Sequence, residues 1–257
     1  MADSDLPPPR ISDADAQATP VVRLPAFLSP DEIAEIDAFH AATSHECGRL
    51  AKASCAVTGA ALWTTTYLST DRRFNARFPG LLARMLHAAR AADRTHFGDY
   101  ASRVDVVPRV VEYHTVTPGG ALRHEEHYDS GSIYTFDVML ARPGDDFDGG
   151  TFLWSDRVTA TATGRGAHGE SIEANGAEWP LSGEDGRKTS ALPPKRGTAI
   201  IFSSGWENLH EVEPVTWGTR IALPAFFTTS SAARSSPRNP SRPRPSSTPS
   251  WSPGCRR

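Results

Sequence analysis

Four side chains could do chemistry together by type and spacing: His127 and Asp129, two residues apart, His210 far downstream, and Arg220 ten residues beyond it. In an extended strand successive side chains alternate faces, so His127 and Asp129 point the same way and offer one imidazole nitrogen and one carboxylate oxygen to a single cation. With His210 they make two imidazoles and one carboxylate. That set suits non-haem Fe(II) and leaves three positions open, two for a bidentate ligand and one for O2. Arg220 has its own rationale. A 2-oxo diacid that chelates through its keto and C1 carboxylate oxygens leaves its C5 carboxylate several Å away, and the fixed fork of an arginine suits that carboxylate better than lysine. The neighbouring triplet His124-Glu-Glu126 alternates in the same way, and strand geometry alone does not choose between the two.

These side chains need rigid elements behind them. Short β-rich runs separated by Gly and Pro turns fall at Ala61–Leu68, Val104–Val116, Ile133–Leu140, Thr151–Trp154, Thr198–Ser203 and Arg220–Thr228. Without βαβ alternation they predict an antiparallel barrel or a two-sheet jelly roll. Pro108 marks an edge or a bulge in the second run. The segment Ala199–Phe202 leads into a loop that ends at His210, and a turn around Trp217-Gly218 precedes the strand that opens with Arg220. Two helices are expected to buttress one face of the sheet. The first starts at Ser29-Pro-Asp-Glu32, with serine as cap, proline in the first turn and glutamate at the third position. The second follows Phe78-Pro-Gly80, with Leu81, Leu82, Met85, Leu86 and Ala89 at helical spacing. His40 and His45 read as solvated polar positions.

A chain of 257 residues can bury a full core as one domain without disulfides. Cys47, Cys55 and Cys255 form no paired motif, so a reducing compartment is expected. No signal peptide and no membrane span are read, which makes the expected location cytoplasmic. Residues 1–20 read as a disordered leader, 21–228 as the domain, and 229–257 as a disordered Ser/Pro/Arg tail. Residues 230–257 hold six arginines and no acid, leaving −9 on the remainder of a chain whose net charge is −3. The acidic body argues against a nucleic-acid footprint on the domain, so any such contact would be a weak one through the basic tail. The Gly-rich stretch 157–194 is too long for a hairpin loop and reads as a lid or a disordered insertion.

In order and spacing, Gly119-Gly120, His127-Tyr-Asp129, Tyr134-Thr135, Asp146-Phe-Asp-Gly-Gly-Thr-Phe152, Gly197-Thr-Ala-Ile-Ile-Phe202 and Leu209-His210 through Gly218-Thr-Arg220 resemble the 2-oxoglutarate- and Fe(II)-dependent dioxygenases, in particular their prolyl 4-hydroxylase-like group. The resemblance runs from about residue 21 to 228. It implies a mainly β, α+β chain: a double-stranded β-helix (jelly roll) buttressed by N-terminal helices. It further implies His127, Asp129 and His210 on Fe(II), Arg220 on 2-oxoglutarate, and O2 as the second substrate, with ascorbate as a companion. Tyr113 is implied to line the cosubstrate pocket. The Asp129-Ser-Gly-Ser run into Tyr134 matches the family register better than the His124 triplet does. Ala222 stands where some relatives carry a hydroxyl partner for the C5 carboxylate.

The implied reaction is hydroxylation of an unactivated C–H bond, yielding succinate and CO2. A prolyl residue in a peptide or protein is the leading substrate class, and a free amino acid or other small molecule is the alternative. Two related chemistries fit less well. Demethylases that repair nucleic acids carry a second arginine six residues after the first, where this chain has Phe226, and halogenases lack the carboxylate ligand that Asp129 supplies. From another class, a catalytically silent jelly roll that binds partners through its basic tail is the competing expectation.

Overall fold

The computed structural model describes residues 21–54, 59–122, 129, 131–156, 163–165, 171–174, 181–182, 188–204, 208 and 210–230. The expectations for the leader 1–20, for His124 and His127, and for the tail beyond residue 230 lie outside them. Strands within the described residues are β1 (Val22–Leu24), β2 (Gly48–Ser54), β3 (Ala61–Tyr67), β4 (Val106–Val116), β5 (Tyr134–Met139), β6 (Phe147–Gly149), β7 (Phe152–Asp156), β8 (Thr163–Arg165), β9 (Ser171–Ala174), β10 (Leu181–Ser182), β11 (Lys188–Leu192), β12 (Ala199–Ser203), β13 (His210–Val212), β14 (Val215–Gly218) and β15 (Arg220–Thr229). Helices α1 (Pro30–Thr43), α2 (Arg73–Arg77) and α3 (Pro79–Ala92) precede β4.

The large sheet runs β2-β3-β4-β15-β5-β12-β1-β9-β8, and a smaller one runs β10-β11-β7-β13, with β14 and β6 paired beside them. Their strand pairings are antiparallel. Strict alternation along the central strands gives each face of the large sheet its own core. Tyr134, Phe136 and Val138 of β5, with Leu223, Ala225 and Phe227 of β15, pack with α1 and α3 in one apolar cluster. Met139, Ala222, Ile200 and Phe202 turn the other way and meet Phe152, Trp154 and Val212 of the smaller sheet in a second. Two sheets closed over one core, with helices on the outer face, are the expected jelly roll.

The helices form for the reasons the sequence supplies. The Ser29 hydroxyl accepts from the Glu32 N–H at 3.2 Å while the Glu32 carboxylate accepts from the Ser29 N–H at 2.9 Å, closing the capping box. Leu81, Leu82, Met85 and Ala89 of α3 are buried, each large side chain contributing about 1.5–3 kcal/mol of apolar burial.

Two expectations are corrected and two are made more specific. Residues 157–194 are not one structureless stretch, because β8, β9, β10 and β11 fall within them, β9 pairing with β1 and β11 with β7. Of the edge or bulge expected at Pro108, the structure has the bulge: β4 lies between β3 and β15, and the proline sits where the register shifts between Phe226 and Phe227. His210 is the first residue of a strand of its own, where it pairs with Trp154. His40 is half-buried and stacked flat on Tyr113, with ring centroids 3.8 Å apart, whereas His45 is exposed as expected. Among the described residues no helix is long and apolar enough to cross a membrane.

Candidate functional site

Asp129 and His210 arrive from opposite sheets. Asp129 lies in the run that leads into β5 of the large sheet, and His210 opens β13 of the smaller one. Both are buried at their side chains, and His210 Nε2 lies 3.8 Å from Asp129 Oδ2. His210 Nδ1 is 3.1 Å from the Asn208 carbonyl. That carbonyl can only accept, so Nδ1 carries a proton, and in the neutral imidazole Nε2 turns its lone pair toward the carboxylate. Two acceptors facing each other across a buried gap are reconciled by a cation, and an imidazole whose far nitrogen donates to a carbonyl is the form in which histidine binds metal. Asp129 and His210 therefore fit the iron that the motif implies. His127, the third expected ligand, lies outside the described residues.

The carboxylate is itself held. The Thr135 hydroxyl of β5 donates to Asp129 Oδ2, and Ser204 Oγ lies 2.9 Å from Thr135 Oγ1, so serine donates to threonine and threonine to aspartate. Asn208 is fixed by donation from Nδ2 to the Ser203 carbonyl at 2.9 Å. Phe152 stacks along the His210 ring at 5.3 Å and Phe202 tilts against it at 4.7 Å, closing that side to water.

Arg220 is at the other end of the same face. It pairs with Val116 of β4, while Ala222 pairs with His114 on one side and Met139 on the other. By alternation Arg220, His114, Glu112, Met139, Asp137 and Thr135 all face the inter-sheet core. Arg220 is 2% exposed, and its charged partner among the described residues is Asp137, Oδ2 at 3.8 Å from Nη2. Burial pulls the guanidinium below its ordinary pKa, and Asp137 opposes that pull. Gly150, with φ of +66°, packs its backbone on this arginine so closely that a Cβ there would sit 2.7 Å from Arg220 Cδ. Beside it, His114 Nε2 contacts Glu112 Oε2 at 2.7 Å, with the Trp63 ring edge-on to the imidazole.

Tyr113 is not brought to this site. One residue out of phase with His114, it faces the helices, its hydroxyl donating to Asp37 of α1 at 2.9 Å and its ring lying on His40. The expected cosubstrate role is thus replaced by one in attaching α1 to the sheet. Sequence reasoning also missed Thr135, Asp137, Ser204 and Asn208. The polar alternation Thr135, Asp137 inside an otherwise apolar strand was the signal that could have found the first two.

The sequence matches no protein-family profile. Over 53 residues it is 43% identical to "2-oxoglutarate and iron-dependent oxygenase domain-containing protein 3" of Rattus norvegicus, covering 21% of this chain and 16% of that protein. Over 97 residues it is 33% identical to "Prolyl 3-hydroxylase 2" of Mus musculus, covering 37% of this chain and 10% of that one. The chain thus spans about a sixth or less of the length of these curated relatives. Among solved structures, the epimerase SnoN from nogalamycin biosynthesis superposes with a TM-score of 0.53 at 12% identity, over 84% of this chain and 81% of that one. That likeness establishes the fold.

Proposed function

We propose that this chain, a member of the 2-oxoglutarate/Fe(II) oxygenase superfamily, is a hydroxylase that binds Fe(II) through His127, Asp129 and His210 and holds 2-oxoglutarate with Arg220. The observation that carries the reading is the buried approach of His210 Nε2 to Asp129 Oδ2 at 3.8 Å, two acceptors that a cation would join. SnoN was crystallised with Fe3+ and alpha ketoglutarate, and carrying that pair to this chain gives both Asp129 and Arg220 a task.

When bound, the iron with 2-oxoglutarate supplies the means of reducing O2 and oxidising a C–H bond, with succinate and CO2 as co-products. The remainder is the work of the chain. Thr135 and Ser204 orient the Asp129 carboxylate, and the Asn208 carbonyl keeps the His210 proton on Nδ1 so that Nε2 faces the site. Arg220 offers a permanent cation in a dry setting, where a carboxylate gains most from it. Phe152 and Phe202 exclude water from the imidazole side.

A prolyl residue in a peptide or protein is the substrate class we propose, on the strength of the match to a prolyl 3-hydroxylase. Ascorbate is proposed as the reductant that keeps the iron ferrous, and the cytoplasm as the location. The test is succinate formation with Fe(II), 2-oxoglutarate and a panel of prolyl peptides and free amino acids, with mass detection of one added oxygen atom. Turnover on peptides supports the reading, and turnover confined to free amino acids moves the substrate to a small molecule. No succinate, together with no rise in melting temperature on adding metal and 2-oxoglutarate, refutes the enzyme.

A further inference from the structure

Among the described residues, the carboxylate that faces Arg220 is Asp137, and the pair is loose. Nη2 and Oδ2 stand 3.8 Å apart, beyond hydrogen-bond range. Arg220 Nε and Asp137 Oδ1 are both buried, and neither has a hydrogen-bond partner among the described residues. A charge-assisted arginine–carboxylate pair at rest is ordinarily shorter and often two-pronged. Here each ion keeps unused hydrogen-bonding capacity while Arg220 is withdrawn from water and Asp137 largely so, an arrangement that costs more than a closed pair. It is an unfinished salt bridge in the position where a ligand carboxylate would complete it.

The place of Asp137 along the sheet matters equally. Pro224 pairs with Asp137 and Phe226 with Thr135, so Asp137 lies on β5 one same-face step, about 7 Å, from the threonine that touches Asp129. A diacid anchored at Arg220 and reaching toward Asp129 and His210 must run past Asp137. Its distal carboxylate and the Asp137 carboxylate then compete for one guanidinium and repel each other at close range.

We infer that Asp137 is an internal counter-ion: it holds Arg220 while no diacid is bound and is exchanged for the ligand's distal carboxylate on binding. This rests on the cosubstrate reading above and deepens it, because it makes Asp137 a positioning residue that sets how tightly the cosubstrate is held. A guanidinium buried to this degree needs a negative neighbour in the unliganded protein. The same neighbour then lowers the affinity for the ligand, so stability without ligand and affinity for it are traded against each other at one carboxylate.

The experiment compares the full chain with Asp137→Asn, each saturated with Mn(II) under anaerobic conditions. It reads melting temperature and the dissociation constants of 2-oxoglutarate and of pyruvate, a 2-oxo acid without the distal carboxylate. The expected result is a lower melting temperature without ligand, 2-oxoglutarate binding tighter on the order of ten-fold, and pyruvate binding unchanged. Asp137→Ser, which removes the charge with less bulk, gives the same comparison should the asparagine variant fail to fold. Unchanged or weaker 2-oxoglutarate binding in a folded variant, or an equal gain for pyruvate, overturns the exchange. A wild-type chain that binds Mn(II) but shows no response to 2-oxoglutarate overturns the cosubstrate reading itself, and the inference with it.

Discussion

His210 Nε2 faces Asp129 Oδ2 across 3.8 Å, two buried acceptors brought together from opposite sheets of the jelly roll. The Asn208 carbonyl takes the other imidazole nitrogen, so with the imidazole neutral the gap between the two acceptors invites a cation. Asp129→Ala is therefore expected to abolish the rise in melting temperature produced by Mn(II) and to reduce succinate formation below detection. An equal Mn(II) response in wild type and variant would remove Asp129 from the metal site.

The threonine behind that carboxylate is a finer probe. Thr135→Val keeps the shape of a buried strand residue but deletes the hydroxyl that donates to Asp129 and accepts from Ser204. Loss of an outer partner of this kind weakens metal binding by roughly 10- to 100-fold. Isothermal titration with Mn(II) measures it. Ser204→Ala, one bond further out, is expected to cost less, and the reverse order would refute the chain of donation from serine to threonine to aspartate.

Much of this was legible in the chain because alternation is a strong signal. Tyr134-Thr-Phe-Asp-Val-Met139 states in six residues that one face is apolar and the other carries polar groups. What alternation cannot say is which face meets which partner. Tyr113 and His114 are adjacent, and only the pairing of Arg220 with Val116 assigns the histidine to the site and the tyrosine to the helices. His210 was recognised as a ligand candidate but not as a strand residue, since His-Glu-Val is too short a run to show a period and is held by its pairing with β7. Asp137 escaped notice because an acid in a strand ordinarily marks a solvent face. Only the fold turns that face inward toward an arginine.

Tyr113 supplies a test that separates the two faces. Tyr113→Phe removes the hydrogen bond to Asp37 and is expected to destabilise the fold by about 1–3 kcal/mol. Binding of 2-oxoglutarate should be unaltered, as the side chain lies outside the site. Denaturant unfolding and ligand titration of the same preparation check both halves, and a selective loss of ligand affinity would return Tyr113 to the pocket.

The stack of His40 on Tyr113 carries a pH dependence. Burial, reinforced by Arg49, pushes the His40 imidazole below its ordinary 6.5, with Asp37 opposing. The folded state thus binds fewer protons than the unfolded one over this range, so the stability tied to His40 is present above about 6.5 and is lost as pH falls through the lower folded value. Asp37 works in the opposite sense: burial holds its carboxyl above the ordinary 3.8, and its share declines as pH rises through its folded value. Melting temperature is expected to fall between pH 7.5 and 5.5 in the wild type, and to fall less in His40→Gln. Parallel pH profiles would show that the imidazole does not titrate with folding.

Gly150 tests how closely Arg220 must be held. Its backbone has φ of +66°, and a methyl group there would meet Arg220 Cδ at 2.7 Å, with Arg220 Nε and Phe147 Cε2 next nearest. Gly150→Ala therefore adds about 1–2 kcal/mol of left-handed backbone strain and forces the guanidinium stem to move. Because the stem rather than the metal ligands is displaced, the loss should fall on the distal end of the cosubstrate. The expected outcome is a 2-oxoglutarate dissociation constant raised by roughly ten-fold or more, with Mn(II) and pyruvate affinities close to those of the wild type. If pyruvate weakens in parallel, the substitution acts by loosening the whole inter-sheet core. If neither ligand changes, Arg220 does not hold the distal carboxylate, and the assignment of that residue fails along with the cosubstrate site built on it.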